Sequence, residues 1–327
     1  MNQQIVAGAA LAAGLSVAMA DTWKSQDDDE ELKMLAKVMD TQPPSKLLVQ
    51  PYAYFETPPY PSRWDRGTDI KMEAMQAVPY KVANLAWAKG IPWHRYDRDD
   101  DQTNSLYDMA RGLGENWRTL NVRIFNQYVT GSTDADLADF IPNAPDGTAP
   151  YAAGRFGIPN AGGVDGNIVT GTGVASTATI QADYYKGEIL FRRFLNTKGQ
   201  PIYGNSIANK GYVLYYNVTN DEFFEKAFLQ NFVDLGTQSA PSNVIRNAGH
   251  NVELWATPRV TTNKWYIFAK GAKKKLVFEQ PRQPLREAIF TVENSDISRR
   301  TGQEGIMWDS RAGFGFNIPY GSVIVDQ

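Results

Sequence analysis

The chain has 327 residues, 43% of them hydrophobic and 21% charged, the proportions of a globular protein with a sizeable core. Its 33 Lys and Arg against 36 Asp and Glu give a net charge of −3, which argues against a free nucleic-acid binder with a strongly basic face. The absence of Cys excludes disulfides, thiolate nucleophiles and metal–thiolate sites, and two His, His94 and His250, leave little for imidazole-rich sites.

Residues 1–20, MNQQIVAGAALAAGLSVAMA, end on Ala18-Met19-Ala20, which imitates a cleavage site. No Lys or Arg precedes the apolar run, as a secretory leader requires, and the run is Ala- and Gly-rich and short for a membrane span. The expectation is an N-terminal arm, ordered or docked on a partner. Residues 27–31 (DDDEE) then open a short helix carrying Leu32, Leu35, Ala36 and Met39, the acids offsetting the positive helix start.

Residues 41–66 hold six prolines, and proline fixes φ and removes a donor, so the segment is extended. Its rings Tyr52, Tyr54, Phe55, Tyr60 and Trp64 need cover, and a neighbouring subunit is the expected source, making these five the inter-subunit contact candidates. Residues 80–88 alternate coarsely and read as a strand stopped by Gly90 and Pro92. Leu106, Met109, Ala110, Leu113, Trp117, Leu120, Ile124 and Tyr128 then step by three or four, predicting a long helix from Asp99-Asp100-Asp101 to just before Gly131.

Residues 131–175 are loop-like. Helices are predicted over 180–195 and 221–235, the latter with Phe224, Phe228 and Phe232 on one face, and a strand over 210–216. Short strands are predicted over 252–256, 265–269, 275–280, 289–293, 314–318 and 322–325. Helices followed by a run of strands indicate an α+β fold.

No chemistry assembles from the motifs. Ser206, Asp234 and His250 have the chain order of an α/β-hydrolase triad, but the Gly204-Asn205-Ser206 stretch has no room for the strand before and the helix after that such an elbow needs. The glycines of 154–173 lack a phosphate-binding pattern. The triple aspartates lack the alternating spacing of a calcium loop. Lys273-Lys274-Lys275 reads as a solvated hairpin tip, with a phosphate contact as the sharper alternative. No catalytic, cofactor-binding or metal-ligating residue is assigned, which favours a structural or binding role.

Three ordered segments resemble the Mu-like major head (capsid) subunits of tailed bacteriophages. The first runs from Tyr80-Lys81-Val82-Ala83-Asn84 through Arg98-Asp99-Asp100-Asp101-Gln102 to Leu113-Gly114. The second joins Asn247-Ala248-Gly249 and Thr257-Pro258-Arg259-Val260-Thr261-Thr262 to Lys264-Trp265-Tyr266-Ile267-Phe268. The third pairs Leu276-Val277-Phe278-Glu279-Gln280 with Arg311-Ala312-Gly313-Phe314-Gly315-Phe316. The family's Asp-Gly-x-x-Phe-Phe passage survives only as Asp146-Gly147-Thr148-Ala149-Pro150-Tyr151, and residues 1–80 match weakly.

The resemblance implies a Hong-Kong-97-type capsid fold: an N-terminal arm (1–40), an extended loop (41–92), a peripheral domain (93–199) with a spine helix over 99–130, part of an axial domain (200–251), peripheral-domain strands (252–316) and a C-terminal segment (317–327). It further implies hexamers and pentamers of an icosahedral head enclosing double-stranded DNA, with portal, scaffold or decoration proteins as partners, in the virion rather than a membrane. The alternatives are a secreted hydrolase using the Ser206/Asp234/His250 triad, an encapsulin-like cargo shell, or a monomeric binding module.

Overall fold

The computed structural model describes residues 2–24, 29–55, 69, 77–100, 104–131, 143–152, 166–174, 176–195, 201–203, 207, 210–230, 245, 250–260, 263–291, 295–317 and 319–326. Two sheets and one long helix organise them.

Helix α1 (Asn2–Lys24) lies along α4 (Ser105–Thr130). A small residue on α4 permits close approach: a Cβ at Gly114 would sit 2.6 Å from the carbonyl of Met19. Ala12, Leu15 and Met19 are buried against Leu106 and Ala110 of α4 and against Ile91, Trp93, Ile306 and Trp308 of a sheet. The expected arm is therefore ordered on its own chain. No helix among the described residues is long and apolar enough to cross a membrane. Helix α2 (Glu30–Val38) starts where expected, with Asp29 capping the amides of Glu31 and Leu32.

The first sheet has the order β1 (Met39–Thr41), β9 (Val277–Phe290), β10 (Gln303–Phe316), β4 (Leu85–His94). The second has the order β5 (Ile168–Thr170), β11 (Ser322–Asp326), β8 (Trp265–Ala269), β6 (Tyr212–Asn217), β7 (Val252–Thr257). Strands β2 (Val49–Phe55) and β3 (Ala77–Ala83) form a separate antiparallel pair.

One face of the second sheet (Val213, Tyr215, Trp255, Phe268) packs on the C-terminal half of α4, with Val277, Phe314 and Phe316 of the first sheet closing the same core. Phe125 sits at its centre, stacked on Trp255 at 5.7 Å between ring centroids. The other face (Tyr212, Leu214, Tyr216, Ile267, Val323) is covered by α5 (Thr177–Arg193) and α6 (Asp221–Phe228). Gly187 of α5 lets the helix approach that sheet, since a Cβ there would meet Ile267 Cδ1 at 2.4 Å.

Several expectations need correction. The long helix begins at Ser105, after a short separate helix α3 (Arg95–Asp100), so the aspartates at 99 and 100 end α3 rather than open α4. Its C-terminus is as expected, on a left-handed Gly131 at φ 66°. Met109 is 53% exposed and lies off the buried stripe. Gly90 and Pro92 do not stop the strand; they lie inside β4. Among the described residues β4 pairs only with β10, and an edge strand tolerates a proline whose missing donor points outward. Gly90 passes so close to β10 that a Cβ would sit 2.9 Å from the Ile306 carbonyl. The strands expected over 275–280 and 289–293 are one strand, β9, and most of β10 has no counterpart in the sequence reading. Helix α6 ends at Phe228; residues 231–235 lie outside the described residues.

Candidate functional site

Among the described residues the sequence motifs bring no reactive centre together. Ser206 and Asp234 lie outside the described residues. His250 is placed, with Nδ1 3.1 Å from the Tyr184 hydroxyl and 4.0 Å from Glu188, whose other oxygen pairs with Arg192 at 2.5 Å. These groups join α5 to the approach to β7. Burial, reinforced by the Glu188 charge, pushes the Tyr184 hydroxyl far above the usual phenol range, so it stays a neutral hydrogen-bonding group. Among the described residues no group of three His, Asp or Glu side chains could hold a metal ion.

Other charged groups tie elements together. Burial opposes ionisation of Glu253, yet Lys270 (2.8 Å) and Lys37 (2.5 Å) hold its carboxyl below the usual range, linking β7 to α2 and to the end of β8. The lysine run is only partly a solvated tip: Lys275 donates to the Ala36 carbonyl at 2.6 Å, and Lys274 stands 4.8 Å over the Tyr54 ring.

What the chain does build is an antiparallel β2–β3 ribbon whose root is anchored on its own sheet. Strands β2 and β3 pair from Val49–Ala83 to Phe55–Ala77. The root lies on the first sheet where β10 carries Gly313 and Gly315. A Cβ at Gly313 would sit 2.9 Å from the Ala83 carbonyl, and one at Gly315 would meet Phe278 and Val82 at 2.8 Å. The Tyr54 hydroxyl lies 3.1 Å from the Phe316 carbonyl and 3.0 Å from Asn317 Oδ1, while the Phe316 amide donates to the Tyr80 hydroxyl at 3.1 Å. Burial raises both phenols, keeping these bonds free of charge. Tyr52 lies edge-on to Phe278, ring centroids 5.1 Å apart.

This bears on the five contact candidates. Tyr52 lies edge-on to Phe278 and stays partly exposed, whereas Tyr54 is 5% exposed and covered by its own chain. The physical reason is the pair of glycines on β10, which let the hairpin lie flat on the sheet. Phe55 stands at the end of β2, and Tyr60 and Trp64 lie outside the described residues.

The apolar surface left open lies beside the hairpin. Leu47 and Leu48, 51% and 64% exposed, are held by a polar turn: Asn84 Nδ2 donates to the Leu47 carbonyl at 2.7 Å, the Asn84 amide to the Leu48 carbonyl at 2.9 Å, and the Ser45 amide to the Pro281 carbonyl at 2.8 Å. A groove of about 540 Å³ runs between β4 and α4, lined by Leu85, Trp87, Leu113, Trp117 and Leu120. Neither the Leu47–Leu48 turn nor this groove was anticipated from sequence. The consecutive leucines just before β2 were the available signal.

Comparisons with known proteins place this architecture. No family model matches the chain, and no curated protein matches it by sequence. Solved structures do match. The mature capsid of bacteriophage PhiM1 aligns over 89% of this chain and 86% of its own, at 12% identity and a TM-score of 0.53. The capsid of Myoviridae phage XM1 aligns over 89% and 90%, at 10% identity and 0.54. This is the Hong-Kong-97-type capsid fold. A virus-like particle from Pyrococcus furiosus aligns over 96% of this chain and 98% of its own, at 10% identity and 0.51, so the same capsid fold also appears outside phage heads. The long helix expected as the spine is α4, and the α+β class read from the element order is the one observed.

Proposed function

We propose that this chain is the major capsid protein of a tailed bacteriophage, a non-enzymatic subunit that assembles into hexamers and pentamers of an icosahedral head around double-stranded DNA. The observation that carries the reading is the capsid fold over nearly nine-tenths of the chain, with an anchored β2–β3 ribbon and the exposed apolar residues Leu47 and Leu48 just before it. Exposed leucines and an apolar-lined groove between β4 and α4 are suited to head-to-tail contact between copies. Such heterologous contacts close into rings when the rotation permits. The net charge of −3 suits a wall that confines DNA without clamping it.

In this reading α4 with the first sheet forms the peripheral domain and the second sheet with α5 and α6 the axial domain. Residues 177–193 and 252–269, expected in the peripheral domain, thereby join the axial one, and the extended loop expected over 41–92 stops short of β4, which belongs to the first sheet. The resemblance of residues 80–327 to Mu-like major head subunits supports assignment to that branch, with portal, scaffold or decoration proteins as further partners. The likeness to the virus-like particle favours one second reading, a shell around protein cargo.

Negative-stain electron microscopy of the purified protein tests the assignment. Closed polyhedral shells are expected, with nucleic acid inside particles from infected or induced cells. Shells filled with an enzyme would establish the cargo reading instead. Elution as a lone 36.4 kDa species at every concentration and salt would overturn both.

A further inference from the structure

Positive charge collects at one end of the second sheet, where α2, the β8–β9 turn and the approaches to β6 and β7 meet. Lys37, Lys210, Lys270, Lys273, Lys274 and Lys275 lie there. Two carboxylates answer them. Glu253 is shared by Lys37 and Lys270, and Asp40 stands 3.9 Å from Lys275, which also donates to the Ala36 carbonyl at the end of α2. Lys210 and Lys273 are exposed and have no ion-pair partner among the described residues, and exposed Lys274 has the Tyr54 ring but no carboxylate.

These three lysines are held together by the fold. Lys210 lies across the β8–β9 turn, where a Cβ at Gly271 would meet its Cδ at 2.5 Å. The turn itself is closed by the Ala272 amide, which donates to the Ala269 carbonyl at 3.1 Å. Lys273 and Lys274 come next in the same turn, and its far end is fixed by the Lys275 amide on Asp40 Oδ2 at 2.8 Å. Like charges gathered this closely repel one another, and in a chain of net charge −3 they are not a by-product of overall basicity. An anion supplied from outside the subunit relieves them.

The chemistry selects the anion. All three open cations are lysines, and an ammonium is a point charge that meets an anion from many directions. It lacks the planar fork by which arginine fixes one carboxylate in register. Such charges suit a polyanion of evenly repeated charge, held without regard to its sequence, which is the phosphate backbone of DNA. We propose that Lys210, Lys273 and Lys274 contact the phosphates of double-stranded DNA, and that this rim is the part of the subunit turned to the inside of the shell. The inward placement rests on the capsid reading; the DNA contact does not. Three such contacts restrain a duplex only weakly, in keeping with a wall that confines its contents without clamping them.

Fluorescence anisotropy of a labelled DNA duplex with the unassembled full-length protein tests the contact. Three phosphate contacts predict that affinity falls about 40-fold between roughly 50 and 200 mM salt. With Lys273→Ala and Lys274→Ala together, one contact remains and the fall should shrink to about 3–4-fold. An unchanged salt dependence in that variant, or no salt-dependent binding by the parent, overturns the proposal. If losing Lys274 from the Tyr54 ring unfolds the variant, Lys273→Ala alone should lower the slope by about one contact and is read the same way. In closed shells, a bulky amine reagent kept outside should label Lys273 and Lys274 far less than in dissociated subunits, and equal labelling overturns the inward placement. Shells whose subunits ignore DNA would sink this proposal and leave the capsid reading standing. DNA binding by a chain that never forms shells would do the reverse.

Discussion

Glu279 shows how a single side chain reveals its surroundings through titration. It lies on β9 facing α4, with Oε2 accepting from Asn121 Nδ2 at 3.0 Å, and burial raises its carboxyl above the ordinary value of 4.5. A carboxyl whose pKa rises on folding keeps its proton where the unfolded chain has already lost its own. Stability therefore falls as pH climbs above about 4.5 and levels off once the folded carboxyl has titrated. Glu279→Gln retains an acceptor for Asn121 and removes this loss. Its melting temperature should exceed that of the parent by a few degrees at pH 7, with the gain gone below pH 4.5. A difference that stays constant with pH would contradict the burial argument. Nothing in the sequence marks this glutamate, because its state depends on a helix more than a hundred residues away. Tyr54 is the same kind of case: the sequence shows an aromatic needing cover, but not that two glycines on β10 let its own chain supply it.

Whether an element was legible depended on the period of its pattern. Helix α4 was, because its apolar stripe recurs every three or four residues over 26 residues, about 39 Å of helix. Its start was misplaced because Asp99 and Asp100, read as its N-terminal acids, belong to the end of the separate helix α3. The part of strand β10 before Phe314 escaped notice although Ile306, Trp308 and Ala312 alternate, because Met307 and Gly313 interleave apolar residues on the second face and blur the period. The packing also decides which substitution tests α4. Leu113, a natural choice from the stripe, is only partly buried. Phe125 is wholly buried and touches Trp255, Tyr215 and Phe268. Phe125→Ala should cost about 3–5 kcal/mol and lower the melting temperature by on the order of 10 °C. A loss under about 1 kcal/mol in calorimetry would mean that this junction of α4 with the second sheet is not as described.

At the scale of the molecule, folding and assembly separate at the hairpin. Truncating residues 1–66 is too blunt a test, since it strips α1 and bares Leu106, Ala110, Ile91 and Trp93. A cleaner variant replaces residues 56–76 with Asn-Gly, closing Phe55 to Ala77 through a two-residue turn. This shortened subunit should melt within a few degrees of the parent and fail to form shells in the electron microscope. Normal particles would remove the hairpin from the assembly mechanism. The geometry of the proposed shell was the least legible level, because curvature arises between subunits while a single chain records only its own surfaces.

The order of strands in the second sheet carries a cost during synthesis. Strand β11 is not at its margin but inside it, hydrogen-bonded to β5 on one side and β8 on the other, and its partner β5 precedes it by more than 150 residues. A nascent polypeptide must hold β5 through β8 ready, with raw backbone exposed, until Ser322–Asp326 leaves the ribosome tunnel. The unfinished chain passes through that sticky interval, and this makes it a natural client for chaperones.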